Sequence, residues 1–192
     1  LYLTSLQELF VQSQLNLREA LRLTEATGQK ALAEYFRVKT HEEHGHEQWA
    51  ASDLGKMPSS VTGDLAPTAA SRHLAQLQRQ LLAEHPLCFV VYVVWAEYLT
   101  VLLGDEWLDA LAVCGYTRSG LSAVSNHVAA DRMHASEGFL ALDELWGGEP
   151  GLQKLLNSFE QARRLFEEFC DEICQVARLG VTTCTPPAAA CG

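Results

Sequence analysis

Two short stretches crowd together side chains that take up protons or bind metal ions. One is "HEEHGHEQW", His41 to Trp49, and the other is "SNHVAADRMHASEG", which carries His127, Asp131 and His134. Glu43 and His46 stand at i, i+3, about 60° apart on a helix. His127, Asp131 and His134 stand at i, i+4, i+7 and span only about 60° of helical arc. Between the stretches lies Glu97, a lone carboxylate inside "PLCFVVYVVWAEYL", the most apolar run of the chain. Each group falls on an inward-facing stripe. Leu32, Phe36, Glu43, His46, Ala50 and Asp53 share one, and the face of His127 continues to Gly138 and Leu142.

Carboxylates and imidazoles buried without partners are costly, and cations held among them relieve that cost. Three carboxylates (Glu43, Glu97, Asp131) and three imidazoles (His46, His127, His134), with no thiolate among them, suit two iron or two manganese ions better than a structural zinc. The HExxH logic of zinc proteases does not apply, because no His follows Glu42 or Glu47 at the required offset. An ExxH pair alone reads equally well as a solvated face, and a single Glu in an apolar helix as a surface residue. The coincidence of three such groups on three helices favours metal. His41, Glu42 and His44 flank the set as supporting groups, as an alternative ligand or as solvent-facing residues. His73 and His85 have no such company and read as ordinary residues.

The elements that must position these groups read as helices throughout. Leu3, Leu6, Phe10, Leu17 and Leu21 mark a first amphipathic helix ending near Gly28. A second is expected from Gln29 to Leu54, followed by the loop "GKMPSSVTGDLAPT". A third runs from Pro67 to Glu84, and a fourth from Pro86, suited to a first helical turn, to Gly104. A short helix over Glu106 to Val113, a long one over Gly120 to Leu145, and a last one over Leu152 to Leu179 complete the set. The expected fold class is an all-α bundle of about seven helices, a single domain over 1–179 with a flexible tail over 180–192.

The totals bound the function. The chain has 192 residues, 48% of them hydrophobic and 20% charged, which suits one globular domain with a sizeable core. A formal net charge of −10 disfavours nucleic acid and anionic membranes as partners. The longest apolar run is interrupted by Glu97 and is too short to span a bilayer, and no basic-plus-apolar leader opens the chain. Six cysteines are present, but no CxxC pair. Cys170 and Cys174, one helical turn apart, are poorly placed to bond each other, so free thiols and a cytoplasmic location are expected.

At the residues quoted above the sequence resembles the heme-oxygenase-like diiron oxidases, also described as iron-containing redox enzymes and related in fold to the TenA and PqqC proteins. The resemblance rests on "HEEHGHEQWAASDLG", on the Glu in "VWAEYL" and on "HVAADRMH", and covers roughly Glu34 to Leu145. It implies a heme-oxygenase-like bundle holding two Fe(II), or Mn, with Glu43, His46, Glu97, His127, Asp131 and His134 as ligands. Glu42 or His41 is the alternative to Glu43. Glu97 would bridge or chelate, and Asp131 would stand where a weakly held second iron binds. O2 would be the cosubstrate and an amino acid, amine or fatty acid the small-molecule substrate, undergoing desaturation, C–C cleavage or N-oxygenation with an electron donor. Phe89, Val93 and Val94 are expected to line the substrate space. A homodimer is the default assembly.

Two other readings compete. A ferritin-like diiron bundle would use Glu43/His46 and Asp131/His134, but leaves His127 surplus and finds no Glu on the apolar stripe of the first helix. A metal-free helical protein of the same fold would bind a small molecule among the polar clusters. A thiaminase-like variant would require Cys88 or Cys114 in the pocket.

Overall fold

The computed structural model describes residues 1–57, 66–113, 117 and 120–183, with side chains to residue 176. Seven α-helices form among the described residues: α1 Tyr2–Ala26, α2 Lys30–Glu42, α3 His46–Lys56, α4 Ala69–Glu84, α5 Pro86–Val113, α6 Ser122–Leu145 and α7 Leu152–Thr183. The all-α expectation holds. Most of the expected "GKMPSSVTGDLAPT" loop, together with Cys114 and the tail from Cys184 onward, lies outside the described residues. The last helix continues past Leu179 to Thr183.

α5 organises the bundle. It packs against α4, α6 and α7, while α1 packs against α2, α3 and α4, and α3 against α6. A helix apolar on every side must be surrounded, and α5 buries Leu87, Cys88, Phe89, Val90, Val91, Tyr92, Val94 and Trp95 in sequence. By length and composition alone α5 could cross a membrane, but 56% of its most apolar window is buried inside the bundle. Phe36 and Phe89 are fully buried and stack with ring centroids 5.8 Å apart. Gln78, also fully buried, satisfies its amide by accepting from Asn16 at 2.9 Å and donating to the Tyr92 hydroxyl at 3.0 Å.

Two expected boundaries differ from the structure, and each has a local cause. The helix expected from Gln29 to Leu54 is two helices, because Gly45 sits at φ +89°, a left-handed conformation that ends α2 and redirects the chain into α3. The break expected after Gly104 is absent, and α5 runs through it. Gly104 is there for packing: a Cβ at that position would collide with Cγ2 of Val128 on α6, so the missing side chain lets the two helices approach.

Helix starts are secured by side chains. Thr68 caps α4, its hydroxyl accepting from Ser71 N at 3.0 Å. α6 has no cap of its own. Asp53 of α3, fully buried, accepts from Ala123 N at 2.8 Å and from the Ser122 hydroxyl at 2.7 Å. The inward stripe of the sequence placed Asp53 correctly in the interior, and its task is to anchor the start of the helix that carries His127.

Gly104→Ala is therefore expected to destabilise the fold by about 1–3 kcal/mol in urea titrations, as overpacking does. Val128→Ala in the same chain should restore part of that loss, since the two residues share one contact.

Candidate metal centre

The break at Gly45 builds one side of the site. His46 N donates to Glu43 O at 3.3 Å, and the turn brings the Glu43 carboxylate within 2.8 Å of His46 Nδ1. Gln14 of α1 fastens this turn, donating to the Glu43 carbonyl at 3.0 Å and to the Glu47 carboxylate. The other side is α6, whose His127 Nδ1 lies 2.6 Å from the Ala123 carbonyl. That contact fixes the ring and leaves Nε2 free for a ligand, a common arrangement for metal-binding imidazoles. Flat aromatic walls hold both rings: His46 stacks on Trp49 at 4.0 Å and His127 on Phe10 at 4.5 Å. The two imidazole centroids are 4.6 Å apart.

Five of the six expected ligands fall in two groups of neighbouring donors. Donor atoms of Glu43, His46 and His127 lie within 4.8 Å of one another, and so do those of Glu43, Glu97 and His134. The two triads share Glu43. Asp131 is part of neither and instead places Oδ1 3.5 Å from His134 Nδ1. Gly138, one turn beyond His134, leaves room for Glu97: a Cβ there would stand 3.4 Å from Glu97 Oε2. The flanking histidines do not join the cluster, since His41 and His44 are exposed. Glu42 does, with Oε2 3.9 Å from His134 Nε2.

The residue that sequence reasoning missed is Lys39. It is 3% exposed, and its Nζ lies 2.8 Å from Glu42 Oε2 and 2.9 Å from Glu97 Oε1. Its spacing was the available signal, since Lys39 stands three residues after Phe36 and four before Glu43 on the stripe that Leu32 and Phe36 aim inward, but a charged residue type argues against burial. Tyr35 joins it, its buried hydroxyl close enough to feel the charges of Glu97, Glu42 and Glu43.

The electrostatics follow from this crowding. Burial raises Asp131, and the charges of Glu97 and Glu43 raise it further, to about 8. Burial also raises Glu97, to about 7, against the opposing pull of Lys39. Glu43 behaves differently: burial pushes it up, but the His46 hydrogen bond and the charges of His46, His127 and Lys39 prevail and hold it below the usual value. For Lys39, burial disfavours the charge, yet Glu97 and Glu42 outweigh it and raise the ammonium's pKa. His127 is lowered, chiefly by burial, and so favours the neutral form that binds metal.

Whether a cation fits can be read from unmet bonding. The Tyr35 hydroxyl, Lys39 Nζ, Glu42 Oε2, both Glu97 oxygens, Asp131 Oδ1 and His134 Nδ1 are buried without a well-aligned hydrogen bond, the Lys39 ammonium meeting Glu42 Oε2 and Glu97 Oε1 as an ion pair at 2.8 and 2.9 Å. Buried polar atoms are ordinarily satisfied, and this many orphaned in one place mark a site built for another partner. The donor set, carboxylate and imidazole only, suits iron or manganese.

The centre opens onto a cavity of about 590 Å³, with Glu43, Glu97, His127 and Asp131 on its polar wall. The rest of the lining is mostly apolar, drawn from α1 (Leu6, Leu9, Phe10), α5 (Val93, Ala96, Leu99) and α7 (Phe166, Phe169, Ile173), with Ser13, Thr100 and Glu106 among it. Of the three lining residues expected, only Val93 lines it. Phe89 stacks in the core, and Val94 packs towards Gly138. Cys88 is buried away from the lining, whereas Cys170 and Cys174 reach it.

No known family model matches the chain, and no curated protein matches it in sequence. Among solved structures it is similar to a domain of unknown function from Shewanella denitrificans OS217 with a heme oxygenase-like fold, at a TM-score of 0.68 and 18% identity, over 97% of this chain and 84% of that one. The chain has the heme oxygenase-like fold. Its bundle is thus of that type and not ferritin-like, and at this identity the likeness speaks to fold alone.

Glu97 and Asp131 bind protons more tightly in the folded chain than in the unfolded one, where carboxylates titrate near 4. Their contribution to stability is complete below about pH 4 and is lost as pH rises through about 7 and 8. The melting temperature of the metal-free protein is accordingly expected to fall by a few degrees between about pH 6 and about pH 9. Asp131→Asn, which cannot ionise, should flatten that slope in calorimetry.

Proposed function

We propose that this protein is a non-heme iron oxidoreductase that uses O2 to oxidise an apolar small molecule. One observation carries the reading: a buried cluster of carboxylates and imidazoles with unmet bonding lines one wall of a largely apolar cavity. Such a placement sets a redox-active ion beside a substrate while excluding bulk water.

Glu43, His46 and His127 would hold the ion, next to the second donor group formed by Glu43, Glu97 and His134. Ferrous iron held there would supply one-electron reduction of O2, chemistry the side chains cannot perform themselves. The remaining tasks belong to this chain. Phe10 and Trp49 keep the imidazole planes fixed, so that the ligand geometry is set before any ion arrives. Leu9, Val93, Leu99 and Phe166 exclude water and orient an apolar substrate against the Glu97–Asp131 wall. Asp131, raised to about 8 in the metal-free chain by burial and by the charges of Glu97 and Glu43, stands on the cavity wall where it would serve as a proton donor. The mostly apolar lining favours an alkyl-chain or aryl substrate over a free amino acid.

Anaerobic loading with Fe(II) followed by exposure to O2 tests this directly. The expected outcome is stoichiometric iron binding, rapid O2 uptake and a transient visible absorbance, all lost in His127→Ala. Iron that fails to bind, or O2 uptake indifferent to His127, would leave a metal-free binding protein of the same fold as the better account. Val93→Phe is expected to weaken apolar ligands by about tenfold or more while leaving iron binding intact, read by ligand titration beside an iron assay.

A further inference from the structure

The two triads look alike in composition but not in surroundings. Glu43, His46 and His127 are flanked by the Phe10 and Trp49 rings and the turn at Gly45, and no ammonium among the described residues stands in direct contact with them, Lys39 acting on Glu43 only at longer range. Glu43, Glu97 and His134 have a positive charge already beside them, because Lys39 Nζ stands 2.9 Å from Glu97 Oε1 and 2.8 Å from Glu42 Oε2. A divalent ion on Glu97 would therefore share its carboxylate with an ammonium, two like charges on one group in a region shielded from solvent. Lys39 lies on the buried face of α2 with Leu32, Tyr35 and Phe36, and is 3% exposed.

We propose that Lys39 is the second cation of the centre. The chain binds one divalent ion, through Glu43, His46 and His127, and the Lys39 ammonium fills the role that a second ion would have on the Glu42–Glu97 side. This rests on the metal-dependent reading above and changes its stoichiometry: a centre of one ion and one lysine, in place of the two-ion centre expected from the sequence. Its consequence is chemical as well as numerical. A lysine cannot change oxidation state, so a single ion delivers one electron from its own ferrous–ferric couple, and any further electrons come from the substrate or from an external reductant.

Co(II), which resists oxidation in air, is the probe. Calorimetric titration of the full chain should give one equivalent per chain, and electron paramagnetic resonance of the complex should show an uncoupled high-spin ion. His127→Ala should abolish that equivalent. Lys39→Gln, which removes the charge and shortens the side chain while keeping it polar, should raise the count to two and introduce spin coupling between the ions. Lys39→Arg should stay at one. Two equivalents in the unaltered chain, or a Lys39→Gln variant that remains folded by circular dichroism and still binds only one, would overturn the inference while leaving a metal-dependent enzyme standing. No binding at all would remove both. Should Lys39→Gln fail to fold, the count in the unaltered chain and in Lys39→Arg still decides, since two equivalents in either overturns it.

Discussion

Four carboxylates (Glu42, Glu43, Glu97 and Asp131) gather in the interior of a bundle whose central helix is almost wholly apolar, and much of the surrounding structure manages that charge. Burial limits their solvation, so pairing, protonation or a bound cation is needed to offset their charge. The structure uses the first two routes visibly. Glu43 is paired with His46, Glu42 and Glu97 with Lys39, and Asp131 is driven towards its neutral form. Several of their atoms remain unmet even so, and it is this remainder that argues for an ion. A merely structural network would be expected to close its own bonding, as Gln78, Asn16 and Tyr92 do a few turns away.

The rest of the fold can be understood as holding these groups at fixed separations. Asp53 anchors the first turn of α6 and so sets the height of His127, Asp131 and His134 relative to α3. Gly104 lets α5 and α6 approach closely, and Gly138 leaves space at the level of Glu97. Gln14 pins the turn that carries Glu43. None of these residues could bind an ion in place of the six, yet a shift in any of them would move a donor atom by enough to matter, because coordination tolerates only tenths of an ångström.

What the sequence revealed and what it hid divide along a physical line. Periodicity exposed the helices and the face of His127, Asp131 and His134, because helical spacing converts directly into direction. Glu97 was legible from the contrast with its apolar neighbours. The Glu43–His46 pair was found for an incomplete reason: a continuous helix was expected, and a left-handed Gly45 instead makes a turn that unites them. Gly104 misled in the opposite sense, since a glycine that breaks a helix and one that admits a neighbouring helix look the same in one dimension. The cavity was barely legible. Its walls come from α1, α5 and α7, and lining residues have the same chemistry as core residues; only the third dimension separates Val93 from Phe89.

Lys39 is the instructive omission. Lysine is almost never fully buried unless paired, so a sequence reading assigns it to solvent by default. Here the default fails because the interior already holds an excess of negative charge, which makes an ammonium less costly inside than its solvation would suggest. The same reasoning that predicts cations among buried carboxylates therefore does not specify which cation. A divalent ion and a lysine both answer the electrostatic need, and they differ in what chemistry they permit. Counting ligands in a sequence sets an upper limit on the ions a site can take; the charges already supplied by the chain set how many it needs.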